Sequence, residues 1–283
     1  MEEAPLRIAI GVWVALLGAT VGSFLNVVIA RVPAGESVVR PRSRCPACRG
    51  PIAWYDNLPV LSWLLLRGRC RSCGARISPR YVVVELLGAA AAWLAWRRHG
   101  LSAAAAVELA FVALLLALAA IDLERWELPH VLTRPLLAFG LAGSALSLTA
   151  APGIRASALG AAAGFAAFWL VMKLGLVLAK REAMGAGDVW LLSGLGAYLG
   201  APALLPVVML ASIQGSVVGI ALAALGKGQP GPAPGAPPPE SDRDWIPPRN
   251  SVPFGPFLVA GALEWLFLSG PLAALVPALE VFR

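Results

Sequence analysis

Charge is scarce in this sequence. Lys, Arg, Asp and Glu make up 14% of 283 residues, against 58% hydrophobic residues, and the mean hydropathy is +0.74. Soluble globular domains carry about a quarter charged residues, so that class is excluded and an integral membrane protein is implied. Histidine is scarcer still. His99 and His130 are the only two, which leaves little for a Ser–His–Asp hydrolase, whose base is an imidazole. His99, beside Arg97 and Arg98, reads as a solvated end residue, whereas His130, after Pro129, is placed where it could lie near a site. A net charge of +7 could suit nucleic acid, but no recognition motif accompanies it. Signal-peptide features are missing too. Met1-Glu2-Glu3 is acidic, the apolar run after it is too long for an h-region, and no A-x-A site follows. The first segment is therefore expected to be a permanent span.

What the chain has instead is apolar sequence in lengths suited to crossing a bilayer, about 20 residues each. Eight spans are predicted: 7–30, 81–96, 101–121, 131–150, 156–179, 189–199, 204–225 and 254–274, the last interrupted by Pro256 and Pro271. The expected class is an all-α integral membrane protein with about eight transmembrane helices. Residues 1–30 form the first helix, 31–80 a polar loop, and 81–283 a polytopic membrane domain with a Pro/Gly-rich linker at 226–250. Ten of the 23 Lys and Arg lie between Arg31 and Arg80, which the positive-inside rule assigns to the cytoplasm. Threading eight spans from that loop puts 17 of the 23 on the same side, with Arg97, Arg98 and Arg155 as exceptions. The same threading brings Asp122, Lys180-Arg181, Asp188 and the linker to the cytoplasmic face.

All four cysteines lie in the polar loop, as Cys45-Pro-Ala-Cys48 and Cys70-Arg-Ser-Cys73. Two C-x-x-C knuckles can present four thiolates to one tetrahedral zinc ion. A polar loop of this length cannot build a self-sufficient core, so a metal would supply what packing cannot. Disulfides are disfavoured by the cytoplasmic placement. A four-thiolate site is structural, since it leaves no open position for water or substrate.

Only five aspartates exist, and Asp122 and Asp188 are the two that abut apolar segments. Asp122 closes a long apolar run; Asp188 follows Met184-Gly185-Ala186-Gly187. Taken alone, Asp122 also reads as a solvated helix-end acid, like Glu124 and Glu127, and Asp188 as a helix N-cap. As a pair, two carboxylates cannot both ionise cheaply, so one holds a proton while the other takes one from water. Both are predicted catalytic residues. The acids inside spans, Glu85, Glu108 and Glu264, are further functional candidates, and the ten Trp read as interfacial anchors and packing.

With these residues in view, the chain resembles the type IV prepilin peptidases, bifunctional leader peptidase/N-methyltransferases of type IV pilus and type II secretion systems. The likeness runs over nearly the whole chain. It is carried by Gly22-Ser23-Phe24-Leu25-Asn26-Val27-Val28, by the Cys45–Cys73 region with Trp54 to Trp63, by Ile121-Asp122 with Leu128-Pro129, by Gly185-x-Gly187-Asp188 and by Pro253 to Phe257. The resemblance implies cleavage of a short basic leader from prepilins or pseudopilins after a glycine, at the cytoplasmic face of the bacterial inner membrane. It also implies methylation of the new N-terminal amine with S-adenosylmethionine as methyl donor. No glycine-rich loop locates a site for that donor. Two positions depart from the family pattern: His130 stands where an aspartate is usual, and Trp190 where a lysine is common. The expected partners are prepilin substrates and the lipid bilayer, with no nucleic acid. The alternatives are an intramembrane aspartyl protease of different substrate range and a non-enzymatic zinc-bearing scaffold or transporter. A polar groove lined by both aspartates, the Gly185–Gly187 turn and the Phe254–Phe257 segment is predicted, with the cysteine loop nearby.

Overall fold

Each of the eight apolar runs forms a helix in the computed structural model, which describes residues 3–179, 184–229 and 251–282. The expectations resting on Lys180-Arg181 and on residues 230–250 of the linker lie outside the described residues. Helix α1 (Glu3–Arg31) leads into the cysteine loop, which holds a 3-10 turn (Trp54–Asn57) and the short α2 (Leu61–Leu65). Then follow α3 (Arg80–His99), α4 (Ala103–Arg125), α5 (His130–Ala145), α6 (Ile154–Ala179), α7 (Ala186–Leu199), α8 (Leu204–Ala224) and α9 (Gly255–Leu275). A 3-10 turn, Pro277–Phe282, follows. No named strand occurs among the described residues; two isolated bridges, Arg44 with Pro51 and Arg69 with Arg76, sit in the cysteine loop.

Five of these helices, α1, α4, α6, α8 and α9, are long and apolar enough to cross a membrane. The others fall short of that standard for visible reasons. Helix α7 has 14 residues, about 21 Å at 1.5 Å per residue, against a hydrocarbon core of about 30 Å. Helix α5 has 16 residues with Pro135 inside, and α3 mixes small residues with Glu85 and a basic last turn.

The ends of α4 show how local sequence shapes the frame. Ser102 caps its start, its hydroxyl accepting the Ala105 amide at 3.3 Å. Trp126, left-handed at φ 58°, stops it and donates its amide to the Asp122 carbonyl at 2.9 Å. Pro256 does not interrupt the last span as the sequence suggests. It stands in the first turn of α9, where the missing N–H would lack a helical partner anyway. Pro271 does lie inside the helix.

Helix α7 is the hub. It packs on α5 and α6 and touches α9, and from Leu191 to Leu199 every residue is buried. A helix apolar on all sides is stable only when surrounded. Phe111, Leu115, Leu118 and Ile121 of α4, Leu136 of α5 and Leu258 of α9 complete a fully buried core with it. Tyr198 stacks on Phe111 with centroids 3.7 Å apart. Exposed Leu16, Leu17, Leu170, Leu174, Ile213 and Val217 on α1, α6 and α8 suit contact with lipid.

The α3–α4 turn corrects the reading of His99 as merely solvated. Its Nε2 lies 3.0 Å from Glu108 Oε2, which also accepts from Arg98 at 2.9 Å. Glu108, only 2% exposed, thus faces a cation. It also partners one of the basic residues that the topology rule left as an exception. Glu264 bonds Gln214 across α8 and α9 at 2.7 Å.

Candidate active site

Asp188 sits in the first turn of α7. The N-cap is Gly185 and not Asp188; the aspartate is three residues further in, where a carboxylate can reach back to the cap. One oxygen does so: the position a Cβ would take on Gly185 is 3.5 Å from Asp188 Oδ2, and the Gly185 backbone hydrogen-bonds the carboxylate. The helix start favours negative charge there. The other oxygen, Oδ1, is buried with no hydrogen-bond partner.

Asp122 lies in the last turn of α4 and is 6% exposed, so it is not the solvated helix-end acid that the isolated sequence allows. Its Oδ2 accepts the Gly255 amide of α9 at 3.0 Å. The Phe254–Phe257 segment therefore adjoins Asp122, as the predicted groove requires. Glu124, two residues on, is ion-paired to Arg80 at the start of α3.

Two glycines let these elements approach, with Leu128 common to both. A Cβ on Gly187 would stand 2.6 Å from Leu128 Cβ; one on Gly255 would stand 2.5 Å from Asp122 Oδ2 and 3.3 Å from Leu128 Cδ1. Contacts under 3.0 Å force something to move. At Gly187 the obstacle is Leu128 Cβ with its carbonyl behind it, so the chain itself must part, whereas at Gly255 it is the Asp122 carboxylate, which would have to swing from its place. The two carboxylates, one ending α4 and one opening α7, lie within Coulombic reach of each other.

The two departures from the family pattern are neighbours in space. The His130 and Trp190 rings meet edge to face with centroids 6.4 Å apart. Phe165 packs edge-on to Trp190 at 5.4 Å, and the Arg134 guanidinium lies 5.7 Å from the same ring. An aromatic–cationic cluster is thus centred on Trp190, two residues beyond Asp188 along α7. Spacing could not reveal this, since residues 130 and 190 meet only through the packing of α5 on α7.

The four cysteines converge, their Sγ atoms all within 4.8 Å of one another and Cys45 to Cys73 at 3.9 Å. A tetrahedral ion with metal–sulfur bonds of about 2.3 Å places sulfurs about 3.8 Å apart, so the donor set fits a metal ion. Each knuckle is built the same way. The Cys45 amide donates to the Gly50 carbonyl at 3.0 Å and the Cys70 amide to Ala75 at 2.8 Å. The residue after each second cysteine, Arg49 at φ 56° and Gly74 at φ 71°, is left-handed. Backbone bonds from Cys73 and Ser72 draw the Cys70 thiol down to about 7. At Cys73 the Ala75 backbone acts in the same direction, but desolvation and the surrounding thiols push it up to about 11. Four thiols in contact resist joint ionisation, and a divalent cation relieves that resistance.

A cavity of about 360 Å³ lies below the knuckles, between α1 and α3, with Asn26, Trp63 and Glu85 in its wall. Asn26, part of the Gly22–Val28 motif, ties α1 to the start of α3 by donating to the Tyr81 carbonyl at 3.1 Å.

Comparison with known proteins places the chain in a family. Residues 16–99 match the Bacterial Peptidase A24 N-terminal domain and residues 109–220 the Type IV leader peptidase family. The chain is 42% identical to the prepilin leader peptidase/N-methyltransferase of Myxococcus xanthus, over 94% of this chain and 92% of that protein. It is 36% identical to the protein of that name from Burkholderia pseudomallei, over 90% and 84% of the two chains. For the Klebsiella pneumoniae protein of that name the figures are 43%, 71% and 90%. No solved structure matches. With both halves matched and relatives this similar over nearly their full length, the chain belongs to the type IV leader peptidase family.

Proposed function

We propose that this protein is a membrane aspartyl endopeptidase that removes the basic leader of type IV prepilins or type II secretion pseudopilins. It acts at the cytoplasmic face of the bacterial inner membrane and N-methylates the new N-terminus. The observation that carries the reading is the convergence of Asp122 and Asp188 from the ends of two helices, against the Gly255 amide of a third.

In the proposed mechanism one aspartate is ionised and the other protonated. The ionised carboxylate takes a proton from water as its oxygen adds to the scissile carbonyl carbon. The protonated partner hydrogen-bonds the carbonyl oxygen and stabilises its developing charge. Collapse of the tetrahedral intermediate expels the amine, which leaves with a proton from the pair. The scissile peptide must be extended, because a helical carbonyl is already engaged. The start of α9 offers backbone beside the pair for such a strand.

Residues 31–80 form a cytoplasmic module between the first helix (1–30) and the polytopic domain (81–283). Cys45, Cys48, Cys70 and Cys73 would hold zinc, which supplies cross-linking to a loop with little core of its own. The 17-of-23 distribution of basic residues supports the cytoplasmic placement. The pairing of Arg98 with buried Glu108 accounts for one exception to it. S-adenosylmethionine is the methyl donor proposed for the second activity.

Co-expression with a prepilin bearing a Gly-Phe or Gly-Met junction tests the reading. The wild type should shorten the prepilin at that junction, and Asp122→Asn and Asp188→Asn should leave it full length while still inserting into the membrane. Cleavage by either variant within about tenfold of wild type, about 1.4 kcal/mol in barrier, would remove that residue from the mechanism.

A further inference from the structure

We propose that the cavity below the cysteine knuckles is the methyl-transfer site, with Glu85 and Asn26 holding a primary ammonium group. The proposal rests on the methyltransferase half of the function above. Its volume of about 360 Å³ falls in the range of small-molecule sites, roughly 300–1,000 Å³. The wall is mainly apolar, with Trp63 fixed in it by an Nε1 bond to the Ile77 carbonyl at 3.2 Å.

Four arginines also line the cavity. Arg31 donates to the Ser37 and Arg42 carbonyls, Arg71 is paired with Asp56, and Arg44 and Arg76 are exposed. The buried polar groups of the wall, Glu85 and Asn26, are instead acceptors matched to a cation. Glu85 is 7% exposed and Asn26 is 2% exposed. Glu85 Oε2 accepts the Val60 amide at 2.7 Å, and the Ser23 hydroxyl bonds the same carboxylate. Both donors are neutral, and no Lys or Arg pairs with Glu85 among the described residues. A buried carboxylate without a counter-charge is a costly arrangement. Asn26 gives its side-chain N–H groups to the Gly22 carbonyl at 3.3 Å and the Tyr81 carbonyl at 3.1 Å. Its Oδ1 is left buried without a donor. Two acceptors, one of them charged, therefore share a cavity wall, and the group that satisfies both is a cation with several N–H donors. Val60 adds a separate sign of construction. A β-branched residue at φ 61°, ψ −51° is strained and persists only where its surroundings enforce it, and this conformation aims its amide at Glu85.

Both reactants of N-methylation carry a primary ammonium: the amino-acid end of an S-adenosylmethionine-type donor and the new N-terminus of the cleaved substrate. For transfer, the peptide amine loses a proton to solvent and attacks the methyl carbon. The N–C bond forms as the C–S bond breaks, and its electron pair stays on sulfur, turning sulfonium into thioether.

The test uses the full chain in detergent. Equilibrium dialysis with radiolabelled S-adenosylhomocysteine reads donor binding, and methylation of a peptide with a free N-terminal Phe reads KM and kcat for the amine. If the ammonium is the donor's, Glu85→Gln should weaken dialysis binding about tenfold or more. If it is the substrate's, donor binding should hold and KM for the peptide should rise by a similar factor while kcat changes less. Either result supports the site. Unchanged donor binding and unchanged KM in Glu85→Gln and Asn26→Leu would overturn it. A wild type that binds no donor and transfers no methyl would remove the methyltransferase reading and this proposal together, a failure recognisable because the unmodified chain shows it. Should Glu85→Gln not survive size-exclusion as a folded species, Glu85→Asp, which keeps the charge but withdraws it, should shift the same readout by a smaller factor.

Discussion

The cysteine module and the aspartate pair are both clusters of acidic side chains, yet they are assembled in opposite ways. The module draws its ligands from two short knuckles, each closed by its own backbone bonds and its own left-handed residue. Little of it is buried apart from Cys45, Ser62 and Gly68. The aspartates are set by helix packing: Asp122 leans on an amide 133 residues further along the chain, and Asp188 opens a helix whose residues from Leu191 to Leu199 are all buried. A site made of local turns tolerates a loose setting as long as a metal gathers it. A site made by packing is only as good as the fit of α4, α7 and α9.

That contrast is most sharply tested by removing chemistry without shape. Asp122→Asn and Asp188→Asn are expected to lower prepilin cleavage by about 10³-fold or more, about 4 kcal/mol in barrier, with unchanged expression and zinc content. A gel assay of leader removal checks this. Loss of zinc in either variant would show that the two regions are not separable.

The converse experiment strikes the module. Cys70→Ser with Cys73→Ser should abolish stoichiometric zinc by metal analysis while reducing cleavage by only about tenfold, the residual coupling running through the ion pair of Arg80 with Glu124. Because the thiolate is the ligand, zinc affinity should fall as pH drops from the alkaline side, where Cys73 already holds its proton, and more steeply below about 7, where Cys70 takes one as well. Uptake near neutral pH should release protons, measurable by titration in buffers of differing ionisation heat.

Packing alone is probed by Gly187→Ala and Gly255→Ala. The added methyl meets Leu128 Cβ at 2.6 Å in one case and Asp122 Oδ2 at 2.5 Å in the other. Cleavage is expected to fall about ten- to a hundredfold, since a displacement of about 1 Å in a catalytic group can cost that much. Full activity in Gly255→Ala would mean that α9 is free to retreat from Asp122.

The smallest effect is expected from Arg71→Ala. Arg71 grips Asp56 with Nε to Oδ2 at 2.8 Å and a terminal nitrogen to Oδ1 at 2.6 Å, but the pair is exposed and such pairs contribute little. Melting should shift by no more than about 2 °C. The hydrogen bond from Arg71 holds Asp56 below its ordinary value. Its contribution is therefore present above the unfolded carboxylate value and disappears as pH falls through the lowered folded one. A melting difference that survives to strongly acidic pH would contradict the pairing.

Sequence by itself determined the membrane class, the approximate extent of each helix and the four-cysteine donor set, because each depends on composition or on spacings of a few residues. It also supplied both aspartates as rare acids at apolar boundaries. Misreadings arose where a distant partner decides the role of a residue. His99 looked solvated because its partner Glu108 lies across a turn, and the alternative of Asp188 as a cap fails because Gly185 takes that place. Pro256 looked like a helix breaker because nothing local says that a helix begins beside it. Only the tertiary structure decided that Gly255 would give its amide to Asp122, that Leu128 would lie against both glycines and that Asn26 and Glu85 would share a cavity wall. Hydrophobic periodicity specifies which face of a helix is buried, not which helix covers it. These contacts join residues far apart in the chain, through close approaches that glycine permits and no local pattern encodes.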